Sequence, residues 1–426
     1  MRLVFNNRQH SVGHGFFHSA TIKIKDEKRR KEQRFHYVYD CGGSKKGLDQ
    51  EVKNYLRMDL RDDPLDAIFV SHLHRDHVSG FGRLLKKRRA KYVFLPYLTP
   101  VERLIIAAQM IGEGIGFNQE LTLFPVRWFS KRADKVIQVS KGQGGGEFPF
   151  PEDPPPSPDR PIDFGKTLKY QTIHQSSHET IEAASQRIYP IEKMWDSDPV
   201  ILPGLWLFAL YVAKPRKNRL SEFVDELADE LPSIGVPLLS KKVDEEEFYA
   251  KAQSILSNRK KRGKLAKCYG KVFGEKRLNG TSLCLCSSPL IQADWVPKDA
   301  PLKVVFPFGL VDRSTSKVSW LGTGDAELRK EKDIREFVYH YQSLLDHVHT
   351  VSLPHHGSID NFHPGLVGAT NPMEVFVTCP ENSDHHPAPD VISRLRSVGI
   401  SLKKVTDDGI GFHQVFEVHY GKASNS

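Results

Sequence analysis

The stretch SHLHRDHVSG, residues 71–80, decides how the chain is read. Four metal-competent side chains, His72, His74, Asp76 and His77, fall within six residues, directly after the apolar run Ala67-Ile68-Phe69-Val70. A short apolar run bounded by polar residues reads as a buried strand. Side chains two apart along an extended chain share a face, so the strand end delivers His72 and His74 to one side. The turn beyond swings Asp76 and His77 towards the same point. Neutral imidazoles and a carboxylate are the donors a borderline divalent ion such as zinc takes, at about 2.0–2.2 Å. With 19 histidines in 426 residues the motif alone also fits a polar loop, so the rest of the chain has to supply the context.

Length and composition bound that context. A chain of 426 residues buries a large core and holds one domain with an insertion or two domains; the expectation is one domain over 1–426 with an insertion at about 113–270. A content of 39% hydrophobic and 27% charged residues is that of an ordinary soluble protein. No stretch approaches the roughly 20 apolar residues of a membrane span, which excludes a membrane partner from the expectation. The opening MRLVFNNRQH has no apolar signal core, which points to the cytoplasm. Five cysteines (41, 268, 284, 286 and 379) without CxxC spacing read as reduced core thiols. The net charge of +9 and pI near 9.1 favour polyanions, nucleic acid first, through counterion release.

Along the chain, residues 3–5, 21–24 and 35–39 read as strands, with VGHG at 12–15 as a turn and Asp40-Cys41-Gly42-Gly43 closing the third. Helical spacing follows at 50–58. The basic run KKRRAK at 86–91 is either a solvated helix end or a phosphate-contacting patch, and 92–95 is a strand. From 113 to 270 the pattern loosens. A Pro/Gly-rich segment at 141–161 is followed by a strand at 206–212, amphipathic helices at 221–231, with Ser221 as N-cap, and 244–256, and a second basic cluster at 258–267. His174 and His178 have the i, i+4 spacing of two zinc ligands on a helix face, which surface histidines share. The last third returns to strands at 281–286, 303–307, 317–321, 348–353 and 374–378, with helix expected from Ala326 onward. Three of these strands finish in polar, metal-competent residues: Asp325, His355-His356 and the segment DHHPAPDV at 384–391. In layered α/β proteins strand ends converge on the rim where ligands bind.

The set Asp40, HxHxDH, TGD and PHHGS resembles the metallo-β-lactamase superfamily. NGTSLCL at 279–285, TGDAE at 323–327, SLPHHGS at 352–358, HPAPDVISRL at 386–395 and TDDGIGF at 406–412 resemble the hydrolase domain of the DNA-uptake family ComEC/Rec2, over about 1–95 and 275–418. The resemblance implies an α/β fold, a four-layer αββα sandwich, with one or two divalent ions at one edge, zinc as first choice and manganese as the other. By position, His72 and His74 bind the first ion, Asp76 and His77 the second, and Asp325 bridges. A histidine of the 355/356 pair completes the second site: His355 is favoured as nearest the strand end, and His356 is the alternative. Asp40 lies beneath the ligands as an anchor, with Asn279 and Ser282 beside it. The superfamily's usual further histidine for the first ion has no counterpart here, where Asn279-Gly280-Thr281-Ser282 stands instead. His174 or His178 is the candidate substitute.

These assignments imply a metal-dependent phosphodiesterase or nuclease. Asp76 orients the attacking water, and His386 and the spare histidine of the pair, His356, protonate the leaving oxygen or hold a non-bridging one. Two other readings are hydrolysis of a small phosphodiester, ester or lactone under a lid, and a metal-stabilised effector subunit whose insertion docks a partner protein.

Overall fold

Alternation in the first three strands fixes which way the sheet faces. In Arg2–Gln9, Phe17–Asp26 and Lys31–Cys41, the side chains of Phe5, Ile22, Phe35, Tyr37 and Tyr39 enter one core, while Phe17, Val38 and Cys41 enter another. Apolar side chains on both faces mean a sheet covered on both sides. The computed structural model describes residues 2–26, 31–142, 168–173, 180–182, 188–214, 218–239, 244–274, 280–290, 300–306, 309–315, 317–407, 409 and 411–419.

The first sheet has eleven described strands. Its middle is the antiparallel trio above, and beyond Lys31–Cys41 it continues in parallel through Leu65–Phe69, Ala90–Pro96, Ala133–Ser140 and Ile188–Trp195. On the other side Phe412–His419 pairs with Arg2–Gln9, so the end of the chain closes onto its beginning. The second sheet has seven described strands. Ser319–Gly322, Val348–Ser352, Glu374–Thr378 and Leu402–Val405 run parallel, joined to the antiparallel strands Ser282–Pro289 and Trp206–Ala213. Because both parallel runs end on one rim, Asp40, Ser71, Asp325 and Pro354 all emerge there.

The layers follow from what each sheet buries. Between the sheets lie Phe5, Tyr37, Phe69, Trp206, Phe208, Trp320 and Phe376, and each fully buried Phe contributes about 1.5–3 kcal/mol. Tyr37 and Trp206 both donate to the Ser287 hydroxyl at 2.8 Å, which satisfies the polar ends of two rings in a dry layer. Outside the first sheet, helices bring Val52, Tyr55, Leu84, Met110 and Trp128 down onto it. Outside the second, Ile334, Phe337, Tyr341 and Leu395 do the same. The architecture is therefore the four-layer αββα sandwich.

The span 113–270 divides in two. Ala133–Ser140 and Ile188–Trp195 extend the first sheet, and Val200–Leu202 and Trp206–Ala213 belong to the second. Among the described residues of the span, the helices Asn218–Glu230, Pro232–Leu239, Glu245–Ser257 and Arg259–Phe273 stand apart, around a core of their own with Pro100–Gly112 that includes Leu104, Phe223, Phe248 and Leu265. The Pro/Gly-rich segment at 143–161, His174, His178 and Asn279 lie outside the described residues.

Local expectations shift in three places. Ser221 lies inside its helix, which starts three residues earlier because Leu220 joins the apolar stripe; Asp244 caps the later one, accepting from the Glu247 amide at 2.8 Å. Residues after Ala326 stay irregular, and the helix begins at Glu331. The run at 86–91 is a loop entering a strand, not a helix end. Arg88 there donates to the Asp63 carbonyl at 3.0 Å, and Lys91 pairs with Asp66 at 2.6 Å. The five cysteines are buried and unpaired, as expected.

Candidate metal centre

The rim gathers its functional side chains from four loops. After Leu65–Phe69 the chain stays extended to His74, which precedes the short helix Arg75–Val78. His72 and His74 pack edge to face, 4.9 Å between ring centres, and His72 and His77 lie 4.0 Å apart. That helix seats itself against glycine backbone: a Cβ on Gly42 would lie 2.2 Å from the Asp76 carbonyl oxygen, so only glycine permits the approach. The Asp-Cys-Gly-Gly segment is thus the cradle of the second half of the motif.

Asp325 lies among the early cluster although 248 residues or more separate it from every member. Its Oδ2 is 3.3 Å from His72 Nε2, and its Oδ1 is 3.5 Å from His77 Nε2. One carboxylate therefore offers one oxygen to each side of the site. Its backbone N–H donates to the Ser282 hydroxyl at 3.1 Å, and Asn361 Nδ2 donates to its carbonyl at 2.9 Å.

The histidine pair separates. His356 Nε2 is 3.4 Å from Asp76 Oδ2 and groups with Asp325 and His77, whereas His355 Nε2 stands 3.8 Å from Asp325 Oδ2 and joins no cluster of three donors among the described residues. The favoured and alternative places of the pair are thus exchanged in the geometry. The physical reason is backbone shape: both residues adopt left-handed conformations, His355 at φ 48° and His356 at φ 56°, so the chain turns back and aims the second ring inward. Asp40, at φ 57°, is a third such residue here. Conformations of this kind cost about 1–3 kcal/mol each and collect where a site demands them.

Four of the rings share one habit. Nδ1 is spent on the protein: His72 on Ser71 Oγ at 2.9 Å, His77 on Asp40 at 2.8 Å, His355 on Asn361 Oδ1 at 3.0 Å, and His356 on the Thr378 carbonyl at 2.8 Å. Nε2 is left to point into the site. Ser71 is the hub of this support, since its amide donates to Asp40 Oδ1 at 2.7 Å and its hydroxyl donates to Asp40 Oδ2. Anchoring one ring nitrogen fixes the direction of the other, as ligating histidines require.

The donors fit a divalent cation. Nε2 of His72, His74 and His77 and Oδ1 of Asp325 are buried without a hydrogen-bond partner. Four such atoms gathered on one rim are costly unless cations satisfy them. Four overlapping triads lie within ligand reach: His72/His74/Asp325, His72/Asp76/His77, His77/Asp325/His356 and His14/Asp76/His356. Burial and neighbouring His72 push His74 down to about 3, so its ring is neutral and its lone pair free. Burial alone would raise Asp76 and Asp325, but the surrounding histidines hold both well below the usual carboxylate range. Burial works against a charge on His77, yet Asp76, Asp325 and Asp40 outweigh it and raise its pKa to about 10.

His386 sits across the mouth, its ring centre 5.6 Å from His355 and 6.1 Å from His356. Burial and those two rings lower it to about 4. Sequence reasoning passed over Ser71, Asn361 and Thr378, whose roles are hydrogen bonds with no spacing signature. It also passed over His14, whose only signal was a histidine between two glycines.

The fold is that of a metallo-β-lactamase sandwich. A family model described as Metallo-beta-lactamase superfamily matches residues 32–162, which include the whole HxHxDH stretch. Among solved structures the chain is similar to a long form RNase Z from yeast, at TM-score 0.36 and 11% identity, over 95% of this chain and 41% of that one. It is also similar to a beta-lactamase domain protein from Burkholderia ambifaria, at TM-score 0.20 and 15% identity, over 28% of this chain and 37% of that one. The chain thus spans less than half the length of either structure. No curated protein matches it. No described helix is long and apolar enough to cross a membrane.

Proposed function

We propose that the protein is a metal-dependent phosphodiesterase acting on nucleic acid, with DNA the first candidate. The observation that carries this reading is the division of Asp325, one oxygen facing His72 and the other facing His77. That is the arrangement a bridging carboxylate needs between two cations, zinc first and manganese second. Divalent ions held by these residues would supply an acidified water and electrostatic stabilisation of the phosphodiester.

The chain's own residues do the rest. In this reading His72, His74 and Asp325 form one ion position, and Asp76, His77, His356 and Asp325 form the other. Asp40 fixes His77 through Nδ1, and Ser282 fixes the Asp325 loop through the backbone amide. His386, lowered to about 4, is neutral near pH 7. It therefore suits an N–H donor to a non-bridging phosphate oxygen better than a proton donor to the leaving group.

A polyanionic substrate is supported by the net charge of +9, though not by every basic run. Arg88, Arg89 and Lys91 are engaged by Asp63, Asp134 and Asp66 and their surroundings, and Lys264, Lys267 and Lys271 pair with Glu226 or Glu230. Exposed Arg75, next to Asp76, and exposed Arg259 and Lys260 on the helical block are the better phosphate contacts. The helices from Asn218 to Phe273, rather than all of 113–270, are the insertion in this reading.

The test is cleavage of end-labelled single-stranded and double-stranded DNA and RNA by Zn- or Mn-loaded protein. Cleavage lost in both Asp76→Ala and Asp325→Ala supports the assignment. Activity that survives in those variants, or none on any polymer, refutes it.

A further inference from the structure

We propose that His14 is an additional donor to the ion position formed by Asp76, His77 and His356, making that position the tight one and the His72/His74 position the weak, exchangeable one. The inference rests on the metal-centre reading above.

Donors that share an ion at about 2.0–2.2 Å stand roughly 3–4.3 Å from one another, the range from adjacent to opposite corners. Around Asp76 the spacings obey this. His14 Nε2 lies 3.7 Å from Asp76 Oδ2, His77 Nε2 3.7 Å and His356 Nε2 3.4 Å, with His77 Nε2 3.5 Å from Asp325 Oδ1. His14, Asp76 and His356 form a triad within ligand reach by themselves, and the His14 and His356 rings stand 4.6 Å apart. Three imidazole nitrogens thus stand within ligand spacing of one Asp76 oxygen, and Asp325 Oδ1 stands within it of His77 Nε2.

The other position is poor by comparison. His72, His74 and Asp325 are its described donors, and Ser282, from the segment that replaces the usual histidine, spends its hydroxyl on the Asp325 amide. His355 reaches Asp325 Oδ2 at 3.8 Å without joining His72 and His74. An ion there keeps more of its sites for water and substrate.

The loop that carries His14 is built for the residue it would share an ion with. Phe16 N–H donates to the Asp76 carbonyl at 3.0 Å, and Ser44 N–H donates to the Val12 carbonyl at 2.9 Å. Gly15, at φ 150°, lies so close that a Cβ would come within 2.6 Å of the same Asp76 oxygen. Both sides of His14 are therefore pinned to the motif loop and its glycine cradle. With its side chain 43% exposed, against 25% for Asp76 and 2% for His356, His14 stands on the solvent side of the cluster.

The experiment is titration of metal-free protein with Co(II), following the visible spectrum, and with Zn(II), using a competing chelator. Wild type should bind one ion tightly and a second more weakly. His14→Ala should weaken the tight step by about 10–100-fold, the scale of losing a supporting contact or more, and change the first-equivalent Co(II) spectrum. His14→Gln, which keeps the bulk, guards against a folding defect, and circular dichroism checks both variants. His72→Ala should abolish the weak step and spare the tight one. First-equivalent affinity and spectrum unchanged in both His14 variants would overturn the proposal, as would loss of the tight step in His72→Ala. Wild type that binds no ion would bring down the metal-centre reading itself.

Discussion

Asp40 accepts a hydrogen bond from Nδ1 of His77 at 2.8 Å, although 37 residues separate them. The aspartate holds a left-handed backbone to do so, and its other oxygen takes the Ser71 amide. Asn tolerates that conformation and keeps a carbonyl acceptor, but it loses the charge. Asp40→Asn should therefore fold, and bind Zn(II) about 10–100-fold more weakly, as removal of an orienting partner does elsewhere. Chelator competition measures the affinity. An unchanged value would mean that Asp40 serves the turn and not the ligand.

How far the sequence reveals this site depends on the kind of interaction. HxHxDH stands out in the sequence because strand alternation and a tight turn impose a spacing; Asp325 stands out as a carboxylate on a glycine-flanked strand end, and its bridging role comes from the resemblance alone. Asp40, an aspartate at a strand end before two glycines, fits a hydrogen-bonding role or a plain turn equally in sequence, and only the resemblance places it under the ligands. His355 and His356 could not be ordered from spacing, because successive left-handed residues reverse the usual outward and inward sense. His14 faces Asp76 through tertiary packing of two glycine loops, which leaves no local pattern. The limits of the insertion were hidden for a related reason. A buried parallel strand such as Ala133–Ser140 lacks a clear period of two, so sheet residues looked like inserted ones.

His77 gives the metal-free protein a specific pH response. Its pKa is raised from 6.5 to about 10 against the effect of burial, by Asp76, Asp325 and Asp40. A raised folded-state value means stability that is fully present below 6.5 and lost as pH climbs through about 10. The melting temperature of metal-free protein should fall across that window, and the fall should flatten in His77→Gln. An ion must expel the same proton, so Zn(II) uptake at neutral pH should release about one proton and tighten as pH rises. Calorimetry in two buffers of different ionisation enthalpy reads the release directly. Zero release would show that His77 is already neutral.

Gly42→Ala isolates the cradle from the ligands. The new methyl would lie 2.2 Å from the Asp76 carbonyl oxygen and 2.5 Å from the His77 amide nitrogen, both backbone atoms that cannot rotate away. The motif helix has to move, at a cost at or beyond the upper end of the about 1–3 kcal/mol of overpacking. Denaturant unfolding should show that loss, and metal affinity should drop with no ligand changed. Retained affinity together with lost stability would separate the fold from the site.

Glu102 connects the helical block to the metal centre. One oxygen accepts from the Thr99 amide at 2.7 Å and closes the capping box of helix Pro100–Gly112, while the other accepts from the Thr281 hydroxyl at 2.7 Å. Thr281 precedes Ser282, whose hydroxyl holds the Asp325 amide, and Arg103 on the same helix reaches Glu245 in the block. Glu102→Ala should remove both functions, costing about 1–2 kcal/mol of stability for the cap and loosening the Asp325 loop. Thr281→Val removes the second alone. If the connection positions Asp325, Thr281→Val should weaken metal binding several-fold with little loss of stability, and Glu102→Ala should lower both. Metal affinity at the wild-type level in Thr281→Val would confine Glu102 to its helix cap.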